Sequence, residues 1–507
     1  MNSSRSSQVA LWAAMLPLLV LSGALIAAAP VYGAALVVGL TGLLIAFFVP
    51  LGTLLVATLV ISTLVTGSLE YFLGISQANW FPFIVSAIVA VRVALAHAFG
   101  QRSPGRRGEA ARIPWYVVPA VLYLLALLGS ALINQSPLLQ VLASVKNYLM
   151  MWGILLGFLA TGRPLLVDVR QVFTAICIVV MMQLPVVAYQ KFFIASRIGN
   201  TASSLSFDAI NGTFGGGLLG GNSGGLIMFV CVALAYVLIL WREKRIGGLK
   251  LLGFCILALP NLFMVEVKAV LVWLPVVVLW VFAGQIRSRP HVFFLGAVGA
   301  LGAVAAVLWT YVSTYYAAGS TRDLWTFIDQ NFAYIYDPDR FNPLSRELGR
   351  ISALVHWWRE VDLSNPLEFV LGFGPGASRS VSSLAVGEVA RRYPFIIDSN
   401  ALVVLLWDVG VMGTVAFVGL LLLALFECMA LARQAALPKD LRIFLESGAI
   451  SLVLILSTLI YTRAAVDGAI TQFLLFFCLA LVARTRREYG QQGRRRAAVP
   501  VARAATA

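Results

Sequence analysis

Charge is scarce in this chain. Only 12% of its 507 residues are Asp, Glu, Lys or Arg, where a soluble domain carries about 25% to solvate its surface. That shortage excludes a soluble globular fold of this length. Histidine is scarcer still: His97, His291 and His356 are the whole set of three, too few for a haem or copper enzyme built on imidazole ligands. The five cysteines, Cys177, Cys231, Cys255, Cys428 and Cys478, all fall inside apolar runs, at spacings that match no metal site. None lies in a candidate outer loop, so no disulfide framework is implied. The sequence shows no internal repeat and no inverted pair of broken apolar segments.

What is abundant is apolar: 60% of residues, with a mean hydropathy of +0.90. Segments 11–29, 113–133, 292–312 and 409–426 carry no charge at all, and a helix needs about 20 apolar residues to cross the hydrocarbon core. The expected fold is all-α: a polytopic integral membrane protein of about fourteen transmembrane helices, centred near residues 18, 40, 59, 88, 123, 150, 180, 232, 258, 277, 302, 415, 452 and 474. The first run has a single arginine, Arg5, before it and no small-residue cleavage site, and is predicted to be a retained helix.

The net charge of +15 does not point to nucleic acid, because the basic residues sit in short segments between apolar runs. Arg102, Arg106, Arg107 and Arg112 form one such segment; Arg163 and Arg170, Arg242 to Lys250, Arg287 and Arg289, and Arg433 to Arg442 form others. With both termini in the cytoplasm, all of them and the arginine-rich tail fall on the cytoplasmic face, as expected of a bacterial inner-membrane protein. The chain then divides into a four-helix membrane segment (1–112), a central membrane segment with a glycine-rich outer loop near 191–222 (113–312), a large, partly helical extracytoplasmic loop (313–398), C-terminal membrane helices (399–485) and a basic disordered tail (486–507). Trp309, Tyr311, Tyr315 and Tyr316 mark the first edge of the large loop as an interfacial belt would.

The loop's cations are all arginine: Arg322, Arg340, Arg346, Arg350, Arg359, Arg379, Arg391 and Arg392. Exclusive arginine suits bidentate recognition of phosphate or carboxylate, and arginine-biased codon usage accounts for it equally well. Residues 345–361 read as a helix with Leu348, Ile351, Val355 and Trp358 as a buried stripe. Arg346 and Arg350, four apart on another face, would make a diphosphate clamp, or the helix would lie on the membrane surface. His356 fits neither face, which favours packing over catalysis. Gly372, Gly374, Gly376 and Pro375 impose a tight turn where backbone can approach a ligand, or a plain surface turn. Asp398-Ser399-Asn400 leads into an apolar run containing Asp408, where a carboxylate needs a partner or a task.

An arginine-led helix, a Pro-x-x-x-x-x-Gly-x-Gly-x-Gly turn, an Asx-rich re-entry and the Gly410-x-x-Gly413 span together resemble the O-antigen ligase and O-antigen polymerase superfamily. Asn211-Gly-Thr-Phe-Gly with Asn222 resembles its Gly-Thr-Phe…Asn segment, and Glu266-Val-Lys268 its short Ser-Arg element; the resemblance spans roughly residues 170–430. It implies a metal- and cofactor-independent glycosyltransferase that takes a polyprenyl-diphosphate-linked oligosaccharide at the outer membrane face. It also implies work alongside other polysaccharide-assembly proteins such as a flippase and a chain-length regulator. By the same resemblance Arg350 and Lys268 would hold the diphosphate, with Arg346, Arg379, Asn400 and the turn glycines as further substrate contacts. Relatives often carry histidine where this chain has Ser399, which leaves Asp398, His356 or charge stabilisation alone to serve in place of that base. A lipid-linked oligosaccharide flippase, with Arg92 and Lys146 lining a cavity, and a non-catalytic scaffold are the alternative readings.

Overall fold

The computed structural model describes residues 46–99, 113–198, 209–217, 220–265, 267–288, 335–342, 346–380 and 385–489, with a few isolated positions between them. The expected spans near 18 and 40, most of that near 302, the aromatic belt at 309–316, Arg322, Glu266 and the tail beyond residue 489 lie outside the described residues.

The described chain is helical apart from two short hairpins. In order come α1 (Leu51–Leu73), α2 (Ser76–Ala98), α3 (Val117–Ile133), α4 (Leu138–Tyr148), α5 (Trp152–Ala160) and α6 (Leu165–Ile198). The hairpin β1 (Gly216–Gly217) and β2 (Gly220–Gly221) precedes α7 (Ser223–Arg242), α8 (Gly248–Met264) and α9 (Val270–Ser288). A second hairpin, β3 (Phe341–Asn342) with β4 (Glu347–Leu348), leads into α10 (Arg350–Glu360) and α11 (Pro366–Leu371). The chain closes with α12 (Ala401–Ala432), α13 (Lys439–Tyr461), α14 (Ala464–Asp467) and α15 (Ala469–Tyr489).

Seven of these, α1, α2, α6, α7, α12, α13 and α15, are long and apolar enough to cross a membrane, and α4 with α5, bent by 46°, makes an eighth at most. The expected helices near 123, 258 and 277 are present, but their apolar stretches are shorter, within 10–17 residues. Fourteen full-length spans are therefore not what the described residues contain. The apolar windows of α7 and α15 are 83% buried against 22% for α2. That contrast puts α7 and α15 at the centre and α2 at the rim, and it fits α7's apolar residues on every face, since a helix buried all round needs no polar stripe. On α3, Val118, Val121, Leu122, Leu125, Leu128 and Leu132 form an exposed apolar stripe.

One end of the bundle is tied by charge. Arg484 on α15 donates to Asp168 on α6 at 2.7 Å with both side chains 1% exposed, and also reaches the Arg163 carbonyl and Glu488. Arg486 pairs with Glu427 at 3.2 Å, Arg242 with Glu446 at 2.6 Å, and Arg245 with Asp440 at 2.6 Å. Segments rich in basic residues in the sequence thus meet at one end. α15 runs on to Tyr489, so Arg486 and Arg487 are helical, not part of a disordered tail beginning at 486.

At the other end sits a small separate core. Ala353, Trp357 and Val361 pack with Ala377, Val389, Ala390, Ile397, Val403 and Trp407. This corrects the expected helix over 345–361. Arg346 has φ +54°, its carbonyl accepts from Ile396, and Glu347–Leu348 pair with Phe341–Asn342, so the helix starts only at Arg350. The buried stripe is Ala353, Trp357 and Val361, one register away from that predicted, and Trp358 is 59% exposed. Arg346 and Arg350 do not share a helix face, because a left-handed residue and a strand pair intervene.

Candidate functional site

The site is organised by a break in α12. Gly410, at φ +65° and ψ −169°, interrupts the helix and frees carbonyls that a regular helix would have used. The Trp407 carbonyl accepts from Phe373 N at 2.8 Å; that of Asp408 accepts from Gly374 N at 3.1 Å and from Ser130 Oγ at 2.8 Å. Gly372, at φ +70°, lies against the break: a Cβ there would meet Gly410 N at 2.6 Å, and one on Gly410 would meet the Val370 carbonyl at 2.4 Å. Two left-handed glycines interlock, and only glycine fits either position.

The Asp408 side chain completes the attachment. Oδ2 accepts from Tyr148 Oη at 2.5 Å and from Gly376 N at 2.5 Å, and Oδ1 accepts from Ser378 N at 2.8 Å. Asn134 Nδ2 donates to the Gly372 carbonyl at 3.0 Å and Gln140 Nε2 to that of Pro375 at 3.1 Å. A Cβ on Gly374 or Gly376 would strike Ser136 or Ser144 at 2.0 Å. The glycine turn expected to offer backbone to a ligand is docked instead against α4, α12 and the end of α3, with its N–H groups committed to protein acceptors.

Beside this turn an alternating chain of charges closes a polar cavity. Asp398, 1% exposed, accepts from Arg463 in the turn after α13. Arg463 also faces Asp467 at 3.7 Å, and Asp467 accepts from Arg379 at 3.2 Å. Burial works against the Arg463 charge, but Asp398 first and then Asp467 outweigh it and hold this guanidinium above its ordinary pKa. The second oxygen of Asp398, Oδ1, is buried and has no hydrogen-bond partner among the described residues. Asp398, Arg463, Asp467, Arg379, Asp408 and Asn147 line the cavity together with Ser144, Ser378 and Tyr148, and its interior has room for a group about the size of one water.

The sequence-predicted residues divide accordingly. Asp398, Arg379 and Gly376 line the cavity. Arg350 flanks it: one Nη donates to the Ser399 carbonyl, and its own carbonyl accepts from Asn400 Nδ2 at 3.1 Å. Asn400 caps α12, with Oδ1 accepting from Val403 N at 3.0 Å, which makes it a fold residue first. Arg346 is exposed on the hairpin and does not line the cavity. His356 packs edge-on against Tyr393 (4.7 Å between ring centres) and Phe395 (5.3 Å), and burial lowers its pKa; it is a packing residue that does not line the cavity. Lys268 stands in the turn between α8 and α9, at the same end of the bundle, because Trp273 five residues on packs on Tyr461. Of the two cations expected to line a transport cavity, Arg92 donates to the Ala46 and Val49 carbonyls, both at 2.7 Å, and Lys146 lies 5.2 Å over the Trp80 ring; neither lines this polar cavity.

The 211–215 segment, expected in an outer loop, is drawn in among the helices. Gln190 Oε1 accepts from Asn211 N (3.0 Å) and Gly212 N (2.7 Å), Gln183 Oε1 accepts from Thr213 N (2.9 Å), and Thr213 Oγ1 donates to the Thr63 carbonyl at 2.6 Å. Non-helical backbone buried among helices needs such partners, and π-helical turns at Ile61–Val65 and Gln190–Ala195 adapt α1 and α6 to receive it. Gly224 at the start of α7 brings that helix against Thr462 and Tyr461, beside Arg463.

Sequence reasoning missed Arg463, Asp467, Asn147 and Tyr148. A signal existed for the first. Arg463 is a lone arginine between the last two spans, where the expected topology puts the non-cytoplasmic side and where arginine is rare. Two helices are nonetheless interrupted: α12 breaks at Gly410, α4 and α5 are bent, and the two interruptions meet at Tyr148–Asp408. Among the described residues no His, Cys, Asp and Glu side chains are grouped as a metal site. Neither models of known protein families nor curated proteins yield a match to the chain.

Proposed function

We propose that the protein is an inner-membrane glycosyltransferase that polymerises or ligates polyprenyl-diphosphate-linked oligosaccharide on the non-cytoplasmic face. The observation that carries this reading is the placement of a buried carboxylate, Asp398, among the residues that line a polar cavity, with one oxygen held by Arg463 and the other buried without a hydrogen-bond partner, one residue from the carbonyl gripped by Arg350. A glycosyl transfer from a lipid diphosphate needs a base for the acceptor hydroxyl and a cation for the leaving group. Asp398 supplies the first. Arg350, with Lys268 at the same end of the bundle, supplies the second. The resemblance in motif order from Asn211 through Gly413 points the same way.

The transfer balances simply. The acceptor oxygen bonds to the anomeric carbon as the carbon–oxygen bond to the diphosphate breaks. The electron pair goes to the diphosphate, and the hydroxyl proton goes to the carboxylate of Asp398. Loss of one charge-stabilising contact costs about 3 kcal/mol of barrier. Purified protein given a lipid-diphosphate repeat unit should release polyprenyl diphosphate and make longer glycan. Arg350→Ala should stop this while inserting normally, and unchanged product length in that variant would reject the assignment.

One observation favours a second reading, transport. Two interrupted helices meeting at an intramembrane carboxylate, Asp408, resemble the broken-helix sites of transporters. Cells settle the choice: loss of a flippase leaves repeat units inside, whereas loss of a polymerase leaves single repeats outside.

A further inference from the structure

We infer that the cavity beside Asp398 is the subsite for the acceptor's hydroxyl group, separate from the diphosphate site, and that Arg463 is the residue that positions Asp398 there. The inference rests on the glycosyltransfer reading and deepens it.

Three features separate this cavity from an anion site. Its interior admits a group about the size of one water, which fits a hydroxyl and excludes a diphosphate. Its charges are those of three carboxylates, Asp398, Asp408 and Asp467, against two guanidiniums, Arg379 and Arg463, and both guanidiniums are already ion-paired to carboxylates. Its one unpartnered buried acceptor on a charged side chain is Asp398 Oδ1, which asks for an O–H donor and would repel a phosphate oxygen.

Arg463 binds the opposite carboxylate oxygen and is itself steadied by Asp467, so the Asp398 carboxylate has one orientation. Around that pair stand Arg350 on the Ser399 carbonyl, Glu347 near Arg463, Arg379 from the loop, Asn147 and Tyr148 from α4, and Asp408 from α12. Arg463 lines the cavity with its guanidinium already committed to Asp398 and Asp467, and it acts on the acceptor through Asp398. Asn147 lines the cavity from α4, while its backbone carbonyl accepts from Gln472 at 2.6 Å. Replacement of the Asn147 side chain therefore alters the cavity without cutting that bond.

The test uses the full chain in lipid nanodiscs with two probes: polyprenyl diphosphate bearing no sugar, read by thermal shift, and the lipid-diphosphate repeat unit, read by transfer. Asn147→Leu should raise the acceptor KM about tenfold or more, as expected where a polar site loses a partner, and leave the thermal shift intact. Arg463→Gln should lower kcat by about a hundredfold, the scale of a misplaced base, with partial rescue in Arg463→Lys and an unchanged thermal shift. Arg350→Ala should abolish the shift together with transfer. If Asn147→Leu and Arg463→Lys, both folded, lose the polyprenyl diphosphate shift, the cavity belongs to the donor and the inference fails. Transfer unaffected in both variants would overturn it as well. Wild-type protein that shows neither shift nor transfer would instead remove the glycosyltransfer reading itself.

Discussion

Asp408→Asn is the substitution from which the site architecture can be judged most directly. The carboxylate accepts three hydrogen bonds: Tyr148 Oη and Gly376 N on Oδ2, and Ser378 N on Oδ1. Asparagine keeps one acceptor oxygen and turns the other into an N–H donor. With the amide nitrogen at the Oδ1 position, Ser378 N faces a donor; with it at the Oδ2 position, Gly376 N does. The Tyr148 hydroxyl can rotate to accept, but neither backbone N–H can, so one buried N–H is orphaned in either orientation. That orphan costs about 1–3 kcal/mol, and the surviving bonds lose charge assistance worth about half their strength. The sum is about 2–4 kcal/mol, concentrated on the 372–378 turn. Thermal denaturation in nanodiscs should show an earlier transition, and limited proteolysis should open the loop between residues 379 and 397 first. An Asp408→Asn protein that melts with the wild type and resists protease equally would refute this account of the docked turn.

Three further outcomes follow from the geometry. Gly410→Ala places a Cβ 2.4 Å from the Val370 carbonyl in a backbone conformation reserved for glycine and should cost about 2–4 kcal/mol from strain and overpacking, measured as a lowered melting temperature. Arg484→Gln leaves Asp168 buried beside a neutral partner and should destabilise by about 3–5 kcal/mol, seen as loss of folded protein in detergent, whereas an unchanged melting curve would contradict it. Burial lowers the His356 pKa below its ordinary value, so the unfolded chain binds the extra proton first and stability should fall as pH drops below about 6.5. His356→Phe should flatten that part of the stability profile, and an identical slope in the variant would show that other groups carry it.

Composition alone settled that this chain is helical and apolar. A shortage of charge and a surplus of long apolar runs leave few alternatives, because backbone polar groups away from water must be paired within the segment itself. Asp398 was legible as a candidate, since a carboxylate at the head of an apolar run is costly without a partner or a task, and the structure gives it the partner Arg463. What the linear order did not reveal was partnership. Arg463 lies 65 residues from Asp398 and Asp408 lies 260 from Tyr148. Periodicity placed residues 345–361 in one helix because apolar spacing there satisfies a helical stripe, but pairing of Glu347–Leu348 with Phe341–Asn342, a long-range contact, removed its first turn. The glycines show the same division. Their density at 372–376 announces tight backbone, but only the packed structure decides that the close approach is to Gly410, Ser136 and Ser144. Hydropathy and local conformation are properties of neighbours along the chain; ion pairs, docked turns and the cavity between them are properties of neighbours in space.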